Sequence, residues 1–319
     1  MKCVVTGGTG FIGSSVVDAL RRVGNDVMVV DVRSNGASEV AEVDVTDSAA
    51  LTRTFQDFGA AYIFHCAAVA DAREALRDPV KAVQVNIGGT ASVLQAARQA
   101  GAKRVIVSST VWVCGAMGPG AVDETEPFLS SGAGHVYTTT KIASELLAHD
   151  FHRLYGLPFT ILRYGIPYGP RMWPGLVLRS FLDQAFSGQP LIVHGDGSQS
   201  RRFLCIEDLA QAHVLALQDV AENQTYNLEG MRAVTIRELA ELVSRLVGNT
   251  AVEYRPEPSR VGEYFKQLRQ IVSNAKAYVE LGWQPSVDLE EGVRQTIEWY
   301  KHTLAPTKAK SASKPSAKR

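Results

Sequence analysis

Short, almost wholly apolar runs alternate with segments of helical length through the first half of the chain. Val4-Val5, Val27 to Val30, Tyr62 to Phe64, Val105 to Val107 and Phe159 to Leu162 lack the polar alternation of a half-exposed strand. Such runs suit strands covered on both faces. Between them, Phe11 to Val23, Ala49 to Phe58, Val80 to Ala100 and Tyr137 to Tyr155 have the length of helices. This alternation predicts an α/β fold built on a doubly wound parallel sheet, the Rossmann architecture.

After Arg163 the pattern changes. Gly165, Pro167, Gly169, Pro170, Pro174 and Gly175 crowd one stretch, and shorter, mixed elements follow. Thr235-Ile236-Arg237-Glu238 has the spacing of a capping box opening a helix to about Leu246, and Asp288 precedes another that runs to about His302. The expected division is a sheet domain over 1–165, a smaller α/β lobe over 166–304 covering the open end of the sheet, and a tail over 305–319. That tail is rich in Lys, Ala, Ser and Pro and reads as disordered.

Composition narrows the function classes. The 319 residues are 45% hydrophobic and 21% charged, as in an ordinary globular chain. No run approaches the roughly 20 apolar residues of a membrane helix, and the first residues enter a strand without the regions of a signal peptide; a cytoplasmic location is expected. Lys plus Arg and Asp plus Glu both total 33. Five of the bases (Lys308, Lys310, Lys314, Lys318, Arg319) lie in the last twelve residues, so the body is mildly acidic and shows no basic face for nucleic acid. Cys3, Cys66, Cys114 and Cys205 form no C-x-x-C pair, which points to buried free thiols rather than a zinc site or disulfides. His149 and His152 stand three apart without further ligands near them, so no metal is expected.

Two constellations carry chemistry. Thr6-Gly7-Gly8-Thr9-Gly10-Phe11-Ile12-Gly13 stands between the first strand and the first helix. Gly7 permits the turn, Gly10 lets backbone approach a pyrophosphate, Gly13 lets helix and strand pack, and the helix amino terminus attracts the anion. Asp31, at the end of the second strand, is placed to accept from a ribose diol and to repel a 2′-phosphate, which predicts NAD; Arg33 is the residue that would instead accommodate NADP. Further on, Tyr137-x-x-x-Lys141 places two side chains on one helix face, where the ammonium is expected to lower the phenol pKa and make a general base. Ser108-Ser109-Thr110 ends a predicted parallel strand, the end at which ligands bind.

The set TGGTGFIGS, Asp31, Asp44-Val45, His65-Cys66-Ala67-Ala68, Asn86, SST at 108–110, Tyr137-x-x-x-Lys141 and LRYGIPYGPR resembles the extended short-chain dehydrogenase/reductase family, in particular its nucleotide-sugar epimerases and dehydratases, over about residues 1–302. The resemblance implies that NAD is held by Gly7, Gly10, Phe11, Ile12 and Gly13, with Asp44 and Val45 at the adenine, Ala67 and Ala68 along its path, and Asn86 holding the site's geometry. It implies Thr110, Tyr137 and Lys141 as the catalytic set, Lys141 also binding the nicotinamide ribose, and Tyr164 beside the nicotinamide. In the second half it implies that Arg201 and Arg260 bind the substrate diphosphate, and it brings Ile166 to the substrate, where family members usually carry Asn.

The expected activity is NAD-dependent C4 epimerisation of a UDP-hexose or UDP-hexuronic acid through a transient 4-keto sugar. The alternatives are a 4,6-dehydratase, a 4-keto-sugar reductase, and an NAD-sensing regulator without catalysis. In the related dehydratases an Asp-Glu pair follows the catalytic Thr, whereas here Val111 and Trp112 stand there, leaving Asp123 or Glu124 as the carboxylates that could substitute. Resemblance also implies a homodimer packed through helices near 86–100 and 137–155.

Overall fold

The five apolar runs singled out above all become strands of one parallel sheet. The computed structural model describes residues 1–34, 39–114, 121–128, 134–256 and 271–304; the basic tail lies outside these. In chain order its first elements are β1 (Lys2–Thr6), α1 (Phe11–Arg22), β2 (Asp26–Asp31), β3 (Val40–Glu42), α2 (Ser48–Phe58), β4 (Tyr62–His65), α3 (Ala72–Arg77), α4 (Pro79–Val83), α5 (Gly89–Gln99), β5 (Arg104–Thr110), β6 (Ala121–Val122), α6 (Val136–Tyr155) and β7 (Phe159–Tyr164). There follow β8 (Ile166–Tyr168), α7 (Val177–Phe186), β9 (Leu191–His194), β10 (Ser200–Cys205), α8 (Ile206–Leu215), β11 (Gln224–Leu228), β12 (Ala233–Thr235), α9 (Ile236–Val247), β13 (Val252–Arg255), β14 (Ile271–Val272), α10 (Ala275–Leu281) and α11 (Leu289–Thr303).

The central sheet runs β11-β7-β5-β4-β1-β2-β3, the doubly wound order extended by one strand. Its sixth and seventh neighbours come from distant sequence. β11 pairs parallel with β7, Thr225 opposite Ile161 and Leu228 opposite Tyr164, although some sixty residues separate them. The second half thus contributes a strand to the sheet as well as building the lobe, whose pieces are the sheets β12-β10-β8, β13-β9 and β14-β6.

Helix ends follow local chemistry. Asp47 caps α2 by accepting from Ala50 N at 2.9 Å, and Thr235 with Glu238 forms the predicted capping box of α9. The predicted helix over 80–100 is not continuous: α4 passes through one π-helical turn, Gln84–Gly88, before α5. Between β7 and α7, Arg171 pairs with Asp18 at 2.5 Å, Trp173 packs edge-on against Phe11 at 5.5 Å, and Arg73 donates to Gly175 O at 3.0 Å. These contacts latch the 171–175 segment across α1 and α3.

Beneath the carboxyl end of the sheet lies a buried ion pair. Arg163 of β7 donates to both carboxylate oxygens of Glu145 on α6, through Nη2 at 2.7 Å and Nε at 3.0 Å, and Ser109 of β5 donates to the same carboxylate. Glu145 is fully buried and Arg163 nearly so. Removing one partner of such a pair strands the other charge, at a cost of about 3–5 kcal/mol. Glu145→Ala is therefore expected to lower the unfolding free energy by about that amount in urea titration; an unchanged midpoint would show that the pair does not hold α6 to the sheet.

Candidate active site

The first cavity, about 850 Å³, follows the carboxyl ends of β1, β2 and β4. Its floor is the glycine loop. Gly7 has a left-handed backbone, φ 69°, and a β-carbon on it would stand 2.7 Å from Ala67 Cα. A β-carbon on Gly13 would lie 2.1 Å from Gly7 O. Only glycine fits either position, and the result is a bare backbone cradle at the amino terminus of α1, the donor array and dipole that suit a pyrophosphate. Gly10, Phe11, Ile12, Asp44, Val45, Ala67 and Ala68 line the same cavity. So does Asp31, whose carboxylate accepts from Thr9 N at 3.1 Å and Val32 N at 2.8 Å; Arg33 lines it as well. The trench can hold an extended dinucleotide.

Asn86 is elsewhere. It sits in the π-helical turn, where Oδ1 accepts from Val69 N at 2.7 Å and Nδ2 donates to Val69 O and to Thr140 Oγ1. Val69 and Ala70 line the trench, so Asn86 holds its wall rather than facing into it.

A second cavity, about 490 Å³, lies between the sheet and the lobe. Thr110, Tyr137, Tyr164, Ile166 and Arg201 all line it. Thr110 accepts from Trp112 N at 3.3 Å. The Tyr137 ring stacks on His135 at 6.1 Å and meets Trp112 edge-on at 6.3 Å. From the sequence Trp112 stood out only as the residue two after Thr110, and His135 not at all, because the two come from separate segments with no shared periodicity. Ile12 and Trp173 line both cavities, so the two adjoin.

One expectation is corrected. The spacing does bring Lys141 to the Tyr137 side of α6, with Nζ 6.0 Å from the ring centroid. Burial nevertheless dominates both groups: it pushes the Tyr137 phenol above its ordinary range and pulls the Lys141 ammonium down to about 8. Lys141 donates to Ser108 O at 2.9 Å, so its charge serves the end of β5 first. In the protein by itself Tyr137 is a weak acid.

Tyr164 presents its ring to the cavity while its hydroxyl is buried behind it, 2.7 Å from both Ser108 Oγ and His213 Nε2. Burial lowers His213 to about 4, so it is a neutral partner, with Nδ1 at 2.9 Å from Leu209 O. Arg201 donates to Ser200 O at 2.8 Å, and burial lowers its pKa. Arg260 lies outside the described residues.

Among the described residues lining the second cavity, Asp71 is the one carboxylate. It caps α3, accepting from Arg73 N at 2.8 Å and Arg73 Nε at 3.3 Å. The other acidic candidates are turned elsewhere: Asp123 accepts from Thr125 and Glu124 from Asn227 N at 2.7 Å. His149 and His152 pack on Phe159. Among the described residues no group of three or more His, Cys, Asp or Glu could hold a metal, no helix is long and apolar enough to cross a membrane, and all four cysteines are free thiols.

Comparison with known proteins matches this geometry to a family. The model of the NAD dependent epimerase/dehydratase family matches residues 3–228. The dTDP-glucose 4,6-dehydratase of Neisseria meningitidis is 32% identical over 94% of this chain and 93% of its own length. Among solved structures, UDP-glucose 4-epimerase of Thermotoga maritima with UDP-glucose superposes with a TM-score of 0.85 at 32% identity, covering 95% of this chain and 100% of that one. The UDP-glucose 4-epimerase of Thermus thermophilus in complex with NAD gives 0.81 at 30% identity, over 95% and 100% of the two chains. With a glycine cradle, a carboxylate at the end of the second strand and a Tyr–Lys pair on one helix, the chain belongs to the NAD dependent epimerase/dehydratase family of extended short-chain dehydrogenases/reductases, and its cofactor is NAD.

Proposed function

We propose that the protein is a nucleotide-sugar 4-epimerase acting on a UDP-hexose or UDP-hexuronic acid through a transient 4-keto sugar, with residues 1–165 and β11 holding NAD and 166–304 holding most of the substrate. The observation that carries this reading is the wall of the reaction cavity. Eliminating water from a 4-keto sugar needs an acid at the leaving hydroxyl and a base at the adjoining carbon. Here Val111 and Trp112 follow Thr110, and Asp71 is already engaged by Arg73. A 4-epimerase needs one proton acceptor at the C4 hydroxyl, and Tyr137 lines the cavity to supply it.

NAD, bound along the glycine cradle with its ribose at Asp31, supplies a reversible hydride acceptor and a positive charge. The protein's share is the proton and the position. Tyr137 takes the C4 hydroxyl proton as the C4–H bond is broken, and returns it after the keto sugar has presented its other face. Because burial raises the phenol, positive charge is what makes it a usable base, and Lys141 contributes one such charge. Thr110 shares the hydrogen bond to the reacting hydroxyl. Arg201 suits the diphosphate, where a guanidinium makes bidentate, charge-assisted bonds.

The same reading includes a homodimer packed through α5 and α6, where Leu146, Leu154 and Tyr155 are exposed on α6. Light scattering coupled to gel filtration is expected to give twice the chain mass; a monomer at micromolar concentration would remove this part of the reading.

Tyr137→Phe keeps the ring and deletes the proton acceptor, so turnover is expected to fall by about 10²- to 10⁴-fold while NAD binding by calorimetry stays as in the parent. Near-parental turnover would show that another group is the base. Mass spectrometry of the product from a panel of UDP- and dTDP-sugars tests the reaction itself. An isomer formed without net NADH is expected, whereas a product lighter by one water would mean a dehydratase.

A further inference from the structure

The carboxyl ends of β7 and β11 meet at Gly165 and Glu229. Gly165 N donates to Leu228 O at 2.8 Å. Asn274 pins the Glu229 backbone from both sides, Oδ1 accepting from its N–H at 2.8 Å and Nδ2 donating to its carbonyl at 2.9 Å. With the main chain fixed, the residue is buried to 7% exposure. A β-carbon on residue 165 would stand 2.6 Å from Glu229 Oε2, so the missing side chain of Gly165 is what makes room for the carboxyl. Oε2 has no hydrogen-bond partner among the described residues. Buried carboxyl oxygens are rarely left so, because the unmade bond is costly.

Glu229 borders a side cavity of about 180 Å³ with Cys114, Arg202 and Val272. Trp112, Ile166 and Arg201 line both this cavity and the one holding Thr110 and Tyr137, so these three side chains form a common wall. Among the described residues the rest of the lining is apolar apart from Ser200 and the arginines. Arg202 donates to Gly230 O at 3.3 Å and retains further N–H donors. A small compartment beside the reacting sugar thus has an unsatisfied carboxyl at one point and a guanidinium at another.

We propose that this side cavity receives an uncharged polar substituent of the sugar ring, one that both donates and accepts a hydrogen bond as a hydroxymethyl or acylamino group does, and that Glu229 and Arg202 select it over a carboxylate. The proposal rests on the nucleotide-sugar reading above. A hydroxyl or amide N–H gives Oε2 the partner it lacks, and the same group's oxygen accepts from Arg202. A ring carboxylate has no hydrogen to donate and would set a second negative charge against Glu229. Burial raises the Glu229 carboxyl to about 7 although the charge of Arg202 and the Gly230 N–H oppose it. Among the described residues the remaining titratable or charged groups on the lining are Arg201 and Cys114, so above neutral pH Glu229 is the one carboxylate acceptor that those residues bring to the compartment.

The test uses NAD-loaded protein at pH 8 and calorimetry with UDP, UDP-glucose, UDP-N-acetylglucosamine and UDP-glucuronate. The parent is expected to bind one of the two uncharged sugars roughly tenfold or more tighter than the glucuronate, the scale of a hydrogen bond to a charged group. Glu229→Ala should bring that ratio to within about threefold, with the affinity for UDP alone unaltered, since the side cavity takes the sugar. Glu229→Gln, equal in size, carries the test if the alanine variant does not fold; it should relax the exclusion of glucuronate while keeping the uncharged sugar. A parent that prefers glucuronate, or a ratio that is the same in parent and both variants, overturns the proposal while leaving the epimerase reading intact. Failure to bind UDP at all would bring down the UDP-sugar reading, and this inference with it.

Discussion

The site depends on one buried carboxylate. Glu145 joins three elements at once: it lies on α6, accepts from Arg163 at the end of β7, and accepts from Ser109 at the end of β5. Tyr137, Lys141 and Glu145 are spaced four apart on α6, so the residue that anchors the helix lies on the stripe that presents the phenol and the ammonium. Thr110 and Tyr164 are the neighbours of Ser109 and Arg163 along their strands. Thr110, Tyr137, Lys141 and Tyr164 are therefore each within about two turns or one residue of the same ion pair, and the pair fixes their separation more firmly than surface contacts would. The price is a charge pair in the core, tolerable because every oxygen of Glu145 is hydrogen-bonded.

Much of the other buried polarity is neutral. Thr6 Oγ1, His65, Thr90 and Ser144 form a continuous chain of side-chain hydrogen bonds running from β1 to α6, and burial lowers His65 to about 3. His213 beside Tyr164 is neutral for the same reason. Histidines that stay uncharged can bridge hydroxyls without bringing a field into the cavity. The buried charges outside the Glu145–Arg163 pair include Lys141 and Glu229, together with Arg104, which donates to Ala216 O and Gln218 O, and Asp208, which accepts from Ser286 N and Val287 N.

Local signals in the sequence were enough to locate the glycine loop, the strands covered on both faces, the capping box at Thr235 and the Tyr137–Lys141 face, because each is written in neighbouring residues. Features set by distant segments were not legible. The half-polar run Gln224–Leu228 gives no sign that it will close the edge of the sheet. The helix over 80–100 looks continuous because the π turn substitutes one hydrogen-bond register for another without a proline or glycine pair at its start. The direction of the Tyr137 shift could not be read from spacing, since burial by His135 and Trp112 outweighs a cation on the same helix. Glu229 looks like a loop acid until Gly165 and Asn274 are brought against it.

The position of β11 in the sheet has a consequence for how the chain is made. When only the first 165 residues have left the ribosome, β7 is an outer strand whose backbone N–H and C=O groups face no neighbour, and exposed edges of this kind recruit other strands. They acquire their partner only after some sixty further residues, including the whole of α7 and α8, have been synthesised. At about 5–20 residues per second that interval lasts seconds, long compared with helix formation. The nascent dinucleotide half thus spends seconds with β7 as its outer strand, a place that β11 takes in the finished sheet, and the docking of β11, rather than completion of the glycine loop, marks the end of sheet assembly.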